Sequence, residues 1–269
     1  MHDRSKLIAP ERTDILGVGV SAINMGMALD TIDEWISRRH RNYVCITSVH
    51  GVIESQSDHK LRRIQNEAGL VTPDGMPLVW VSRLRNRRHV RRVYGPELMT
   101  EVCQRSASMG YRHFLYGGVA GIPERLAEQL QSRFPGIEIV GVFSPPFRPL
   151  TPEEDESIIQ RINNSGADIL WVGLSTPKQE YWMAAHQGRL DVAVMIGVGA
   201  AFDFLAGVKS QAPRWIQRSG FEWFYRLLTE PRRLWRRYLK IVPLFMYYMA
   251  LDSLGFRDRG HRADRPAAR

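Results

Sequence analysis

The stretch His113-FLYGGVAGIPERLAEQLQSRFPGIEIVG-Val142 decides how this chain folds. Its first four residues, His113–Tyr116, suit a buried strand, and a Gly-rich loop, Tyr116-Gly-Gly-Val-Ala-Gly-Ile-Pro123, follows at once. Residues from Pro123 to Phe134 then repeat their apolar positions with helical spacing, and Glu138–Val142 is again strand-like. Strand, loop, helix and strand in this order form a βαβ unit, whose two strands run parallel.

The same alternation runs outward in both directions. Further strands are expected at Ile15–Val18, Tyr43–Thr47, Gly69–Thr72, Asp168–Val172 and Val192–Ile196, and helices at Ala28–Arg39, Pro96–Met109 and Glu153–Asn163. Thr151-Pro-Glu-Glu154 supplies a helix start, with a Thr cap, Pro in the first turn and Glu three residues on. The fold class is α/β with a mainly parallel sheet. From Ala200 the alternation stops: Ala200–Gly207 and Pro213–Arg218 suit short helical pieces, and Pro231 opens a long helix. The expected division is a mobile N-terminus (1–11), an α/β domain (12–207), a basic amphipathic appendage (208–256) and a mobile tail (257–269).

At 269 residues, with 44% hydrophobic and 24% charged residues, the chain can bury a core of ordinary size. Its two cysteines, Cys45 and Cys103, have no CxxC spacing and suit a reducing compartment. The N-terminal MHDRSKLIAPERTD has no apolar h-region, so no signal peptide is expected. Charge is unevenly spread. Residues 208–269 carry 14 Lys and Arg against 5 Asp and Glu, and the whole chain carries 37 against 28, which leaves the first 207 residues neutral. A neutral body with a basic aromatic end suits an anionic surface such as a membrane or a pyrophosphate. Ile241–Leu251 is an apolar run of eleven residues containing Pro243. A spanning helix needs about 20, so this end is expected to lie on a bilayer rather than cross it. On the long helix Arg232, Arg233, Arg236, Arg237 and Lys240 share one stripe, with Trp235, Tyr238, Val242, Phe245 and Met249 on the other side. Such a helix can lie at a membrane interface or dock on its own domain with its arginines in water.

Ligands of open parallel sheets bind beyond the carboxyl ends of the strands. Four loops there carry suitable residues. In Thr72-Pro-Asp-Gly-Met-Pro77, Asp74 can project into a cleft or merely satisfy turn amides. Gly117 and Gly118 offer bare amides to a phosphate, or form a plain tight turn. Val172-Gly-Leu-Ser-Thr-Pro-Lys-Gln-Glu180 puts Lys178 and Gln179 at a helix opening, with Ser175 or Thr176 as binding groups or simple caps. Ile196-Gly-Val-Gly-Ala-Ala-Phe-Asp-Phe204 runs on to Trp215 and brings Gly199, Asp203, Lys209 and Arg214, the cations reaching an anion or only water. There is no DxD motif, no HxxxH pair, no GxSxG elbow and no Walker loop.

Six motifs in order carry a resemblance. T-P-D-G-M-P, R-x-x-G (Arg92–Gly95), P-K-Q-E, G-x-G-A-x-F-D-F-x-A-G, A-P-R-W and E-W-x-x-R-L-x-x-E-P-x-R make the chain similar to the WecG/TagA/CpsF glycosyltransferase family, from about residue 14 to about residue 250. The first stretch is also similar to members that extend lipid-linked glucose in exopolysaccharide assembly. The resemblance implies a Rossmann-like α/β domain, helices on both sheet faces, and a C-terminal helical appendage that meets the membrane. It implies metal-independent, inverting transfer from a UDP-sugar to a polyprenyl-diphosphate-linked sugar, with no cofactor. Asp74 would be the base, and Arg92 and Gln179 would line the site. Appendage arginines, Arg226, Arg232, Arg233, Arg236 and Arg237, would meet the diphosphates. Two motifs depart from the family. Its Thr-x-Asn is Thr47-Ser48-Val49 here, so Thr47 keeps the Thr role while Ser48 or His50 stands near the missing Asn; its Arg-Ala-Pro is Gln211-Ala-Pro213.

The expected partners are therefore the UDP-sugar, the lipid-linked acceptor and the inner face of the cytoplasmic membrane, with a homo-oligomer as an option. A basic nucleic-acid-binding protein is the alternative from another class, since the sequence pI is near 9.9. Against it, nucleic acid would leave the eleven-residue apolar run exposed. A dinucleotide-dependent oxidoreductase ranks last, because Gly17-Val-Gly19 is only a fragment of its fingerprint.

Overall fold

A computed structural model of the chain describes residues 10–254, apart from the side chains of Arg214, Gln217, Arg218, Arg226 and Arg233. The ends expected to be mobile lie outside the described residues, except for residues 10 and 11.

Six strands form one sheet: β3 (Asn42–Thr47), β4 (Leu70–Pro73), β5 (Arg112–Gly117), β6 (Glu138–Phe143), β7 (Ile169–Gly173) and β8 (Val194–Gly197). Their order is β4-β3-β8-β7-β5-β6, and every neighbouring pair is parallel. Alternate residues of each strand feed two separate cores. Tyr43, Cys45, Phe114, Tyr116, Leu170 and Val172 pack on one face; Val44, Leu115, Ile169, Trp171 and Ile196 pack on the other. A strand buried on both faces reads as a continuous apolar run, which is why these strands are legible in the sequence. Helices α2 (Val49–Ser57), α3 (His59–Glu67), α7 (Pro152–Ser165) and α8 (Lys178–His186) cover the first face. Helices α1 (Met25–Arg38), α5 (Gly95–Met109), α6 (Ile122–Arg133) and α9 (Ala201–Leu205) cover the second. A further helix, α4 (Met76–Leu84), follows β4. The start of α7 carries the expected capping box: the Glu154 N–H donates to Thr151 Oγ1 at 3.2 Å, and the Thr151 N–H donates to Glu154 Oε2 at 2.9 Å.

The strand expected at Ile15–Val18 is instead a hairpin tip. β1 (Arg12–Ile15) pairs antiparallel with β2 (Val18–Ser21), and Ile15 faces Val18. Leu16 and Gly17 make the turn, with φ of 56° and 85°. Two left-handed residues match the twist of a two-residue hairpin. Leu16, a residue with no turn preference, hid that turn.

One buried group gives the fold a measurable pH dependence. His113 on β5 is fully buried, and its Nδ1 accepts from Trp171 Nε1 at 2.9 Å. Burial pushes its pKa down from 6.5 to about 4, with the Asp168 charge pulling the other way. The unfolded chain takes up this proton below pH 6.5 and the folded one does not. This contribution is therefore complete above pH 6.5 and is lost as the pH falls toward about 4. The full shift corresponds to about 3 kcal/mol. Urea titrations of the wild type and His113→Gln at pH 7 and pH 5 should show a smaller pH loss in the variant. Equal losses would show that His113 does not titrate this way.

The C-terminal helices are α10 (Arg214–Ser219), α11 (Glu222–Thr229) and α12 (Pro231–Ser253). α12 packs along α2, with Ile241 and Phe245 in the first core and Leu244, Tyr248 and Met249 against it. This corrects the expected faces. Phe245 and Met249 belong to the docked side, whereas Trp235 and Val242 join Leu239 and Met246 in an exposed stripe. Spacings of 235, 239, 242 and 246 fit one helical face. Trp215, Phe221, Phe224 and Leu228 are exposed on the neighbouring segments. Among the described residues no helix is long and apolar enough to cross a membrane.

Candidate active site

From β5 the chain steps outward to β6, and from β7 it steps inward to β8. Such a reversal opens a crevice at the carboxyl ends of the strands. A cleft of about 950 Å³ lies there, walled by Gly118, Gly173, Ser175, Lys178, Gly199 and Asp203 among others. Gly117 makes its base possible. With φ of 125°, a Cβ at this position would stand 2.6 Å from the Gly173 backbone, closer than any side chain tolerates. The Gly118 N–H donates to the Gly173 carbonyl at 3.0 Å, which locks the two loops together. Tyr116 stacks on Trp182 at 4.4 Å and both line the cleft, giving it a flat aromatic wall. α6, α8 and α9 start around this cleft without side-chain caps. Asp203 holds Lys209 at 2.6 Å, and Glu230 brings the start of α12 to the rim.

Beside this cleft, the loops after β3, β4 and β8 converge. The Asp74 N–H donates to the Thr47 carbonyl at 2.9 Å, which sets the Asp74 loop against the end of β3. Thr47 itself is buried, and Ser48 stands at the N-cap of α2 without making a capping bond. A Cβ on Gly75 would lie 4.0 Å from Ser48 Cα, and one on Gly95 would lie 3.6 Å from the Val198 carbonyl. Gln179 is buried against Gly197 and Gly199, between the cleft and this second group of loops.

Arg92 organises the Asp74 end. Its Nε donates to the Asp74 carbonyl, and its Nη2 reaches Asp74 Oδ1 at 3.3 Å and Glu222 Oε2 at 2.6 Å. Its guanidinium also stacks over Tyr94 at 4.1 Å. Burial would weaken this cation, but Asp74 and Glu222 outweigh burial and hold its pKa above the ordinary value. Charge-assisted bonds of this kind fix both geometry and ionisation. Glu222 is the residue that sequence reasoning missed. It heads the E-W-x-x-R motif, and nothing in its own neighbourhood points to a partner 130 residues earlier.

The structure thus unites Asp74, Arg92 and Thr47, with Ser48 and Gln179 close by, and puts Gly117, Gly118, Lys178, Gly199 and Asp203 around the adjoining cleft. His50 goes elsewhere. It lines a smaller cavity of about 370 Å³ between α2 and α12, with Arg237, Lys240 and Tyr248. Burial and then Arg237 push its pKa below the ordinary value, against Glu54. Ser48, not His50, therefore stands beside the Asp74 loop. Arg232 and Arg236 are exposed, Arg236 lying over the Trp235 ring at 5.3 Å. The side chains of Arg214, Arg226 and Arg233 are outside the described residues. Among those described, no group of three or more His, Cys, Asp or Glu is gathered as metal ligands.

A glycine-rich crevice at a sheet reversal, beside a carboxylate clasped by a part-buried arginine, is the layout of an α/β enzyme that takes its ligand beyond the strand ends. Residues 13–259 match the glycosyl transferase WecG/TagA/CpsF family; the chain belongs to that family and is a glycosyltransferase. It is similar to the N-acetylglucosaminyldiphosphoundecaprenol N-acetyl-beta-D-mannosaminyltransferase of Staphylococcus aureus strain NCTC 8325 / PS 47. The two are 29% identical over 242 residues, 89% of this chain and 92% of the relative. The enzyme of the same name from strain MRSA252 matches to the same extent.

Proposed function

We propose that this chain transfers a sugar from a UDP-sugar to a polyprenyl-diphosphate-linked sugar, with inversion and without a metal ion, in cell-surface or exopolysaccharide assembly. The observation that carries this reading is the Asp74–Arg92–Glu222 cluster, whose neighbouring Gly95 packs against Val198 just before Gly199 of the cleft wall. The nucleotide would occupy the cleft, its base near the Tyr116–Trp182 wall and its phosphates near Gly118, Lys178 and the uncapped helix starts. The acceptor hydroxyl oxygen would attack the anomeric carbon as the bond to the β-phosphate oxygen breaks. Asp74 takes the hydroxyl proton and UDP leaves. Arg92 holds the Asp74 side chain and carbonyl in place. Charge on the departing diphosphate would meet Lys178, the helix starts and arginines of the C-terminal segment. The staphylococcal relatives are named for an N-acetylglucosaminyldiphosphoundecaprenol acceptor, which supports a lipid-diphosphate acceptor here.

The protein would work at the cytoplasmic face of the membrane. The exposed stripe of α12, the aromatics Trp215, Phe221 and Phe224, and the neighbouring cations together suit a bilayer interface. This arrangement disfavours nucleic acid, which would leave those apolar side chains in water.

The test is a panel of UDP-sugars offered to the purified protein with polyprenyl-diphosphate-linked glucose or N-acetylglucosamine in liposomes. One donor should be consumed, and the product linkage should be inverted relative to the donor. Retained configuration, or no transfer from any donor to either acceptor, would overturn the proposal.

A further inference from the structure

The loop from β7 into α8 sets two buried polar side chains side by side. Gln179 is 2% exposed and Glu180 is 1% exposed. Thr176 Oγ1 donates to Glu180 Oε1 at 2.9 Å, and Gln179 Nε2 donates to the same oxygen at 3.3 Å. The nitrogen of the Gln179 amide is therefore committed inward, and its oxygen must face the other way. The glycines opposite agree with this. A Cβ at Gly197 would stand 2.9 Å from Nε2, whereas one at Gly199 would stand 3.5 Å from Oε1. Gly199 lies on the wall of the large cleft, so the carbonyl oxygen sits directly behind that wall.

That oxygen accepts no hydrogen bond from the protein. Buried acceptors of this sort are uncommon and usually await a water or a ligand. The second Glu180 oxygen, Oε2, is also without a partner. Burial raises the Glu180 carboxyl above its ordinary range, against the bonds from its own backbone, Thr176 and Gln179. A neutral carboxyl can hold its proton on Oε2 and still accept both bonds on Oε1. The arrangement therefore fixes which end of the Gln179 amide a ligand meets.

We infer that Glu180 is a positioning residue that turns the Gln179 carbonyl oxygen toward the cleft, where it accepts a hydrogen bond from an O–H or N–H of the sugar carried by the nucleotide. The pair then selects donor sugars that present such a group at that place. The inference rests on the cleft being the UDP-sugar site. A sugar without the donor group leaves Oε1 buried and unsatisfied, which is the more severe kind of mismatch.

Calorimetric binding tests this without the acceptor. The probes are UDP, UDP-glucose, UDP-N-acetylmannosamine and their monodeoxy and monodeoxyfluoro analogues, titrated into the full chain. In the wild type, removal of one particular O–H or N–H should weaken binding roughly 10- to 100-fold. Gln179→Met should weaken the parent sugar by a similar factor and be indifferent to that one removal. Glu180→Met frees the amide to rotate and should shrink the discrimination, whereas Glu180→Gln, which keeps an accepting oxygen, should retain most of it. UDP alone should bind all four proteins alike. The inference is overturned if Gln179→Met weakens the parent and every analogue by one common factor, or if Glu180→Met leaves the discrimination intact. Absence of any UDP or UDP-sugar binding to the folded wild type would sink the reading of the cleft as well, a result distinct from either of those.

Discussion

Asp74→Asn should lose roughly 10²- to 10⁴-fold in turnover on a lipid-diphosphate acceptor, the range expected when a general base is removed. The substitution keeps the shape of the side chain. It also leaves the Arg92 Nε bond to the residue 74 carbonyl and the 2.6 Å pair of Arg92 with Glu222 in place. The variant should therefore unfold at the wild-type temperature and bind UDP normally, which separates lost chemistry from a lost site. Near-normal turnover would remove Asp74 from the role of base. Glu222→Gln gives no equally clean result, because it takes away the closer of the two carboxylates on Arg92 and so disturbs Asp74 as well.

The second large effect concerns the membrane. Replacing Trp235, Leu239 and Met246 together by Ser should weaken binding to anionic liposomes by about 100-fold or more, since each loses most of its transferable apolar surface. These side chains are 46%, 66% and 66% exposed, so the melting temperature should hardly change. Phe245→Ala on the same helix should do the reverse. It opens the core that α12 shares with α2 and should cost about 3–5 kcal/mol of stability while leaving the exposed stripe intact. Unchanged liposome binding by the triple variant would exclude this stripe as the contact. Deletion of the whole segment is a poorer test. It would uncover the apolar side chains that Ile241 and Phe245 now protect, so a lost activity would have two causes.

The sheet was legible because its central strands are buried on both faces and so stand out as short apolar runs. The loops that build the cleft were legible for a related reason: glycine permits the close backbone approach at 117 and the positive φ at 118 and 199. Four features were not legible. The Leu16–Gly17 turn used a residue with no turn preference. The two apolar faces of α12 could not be separated, because a helical period shows which residues share a side but not which side meets the protein. The pairing of Arg92 with Glu222, and the orientation of the Gln179 amide, depend on contacts between distant segments that no local pattern encodes.

The position of β8 has a consequence for how the protein comes into being. This last strand pairs with β3, so that Asn42 meets Val194 and Cys45 meets Gly197. It also pairs with β7, and among the described residues it is the one strand of the six-stranded sheet that joins the β4-β3 edge to β7, β5 and β6. During synthesis, strands β3 and β4 leave the ribosome early but cannot join the rest of the sheet until Gly197 has followed them. Pairings this far apart in sequence close slowly. A chain stalled before that point carries two separate sheet fragments with open edges, the kind of intermediate that aggregates or recruits chaperones.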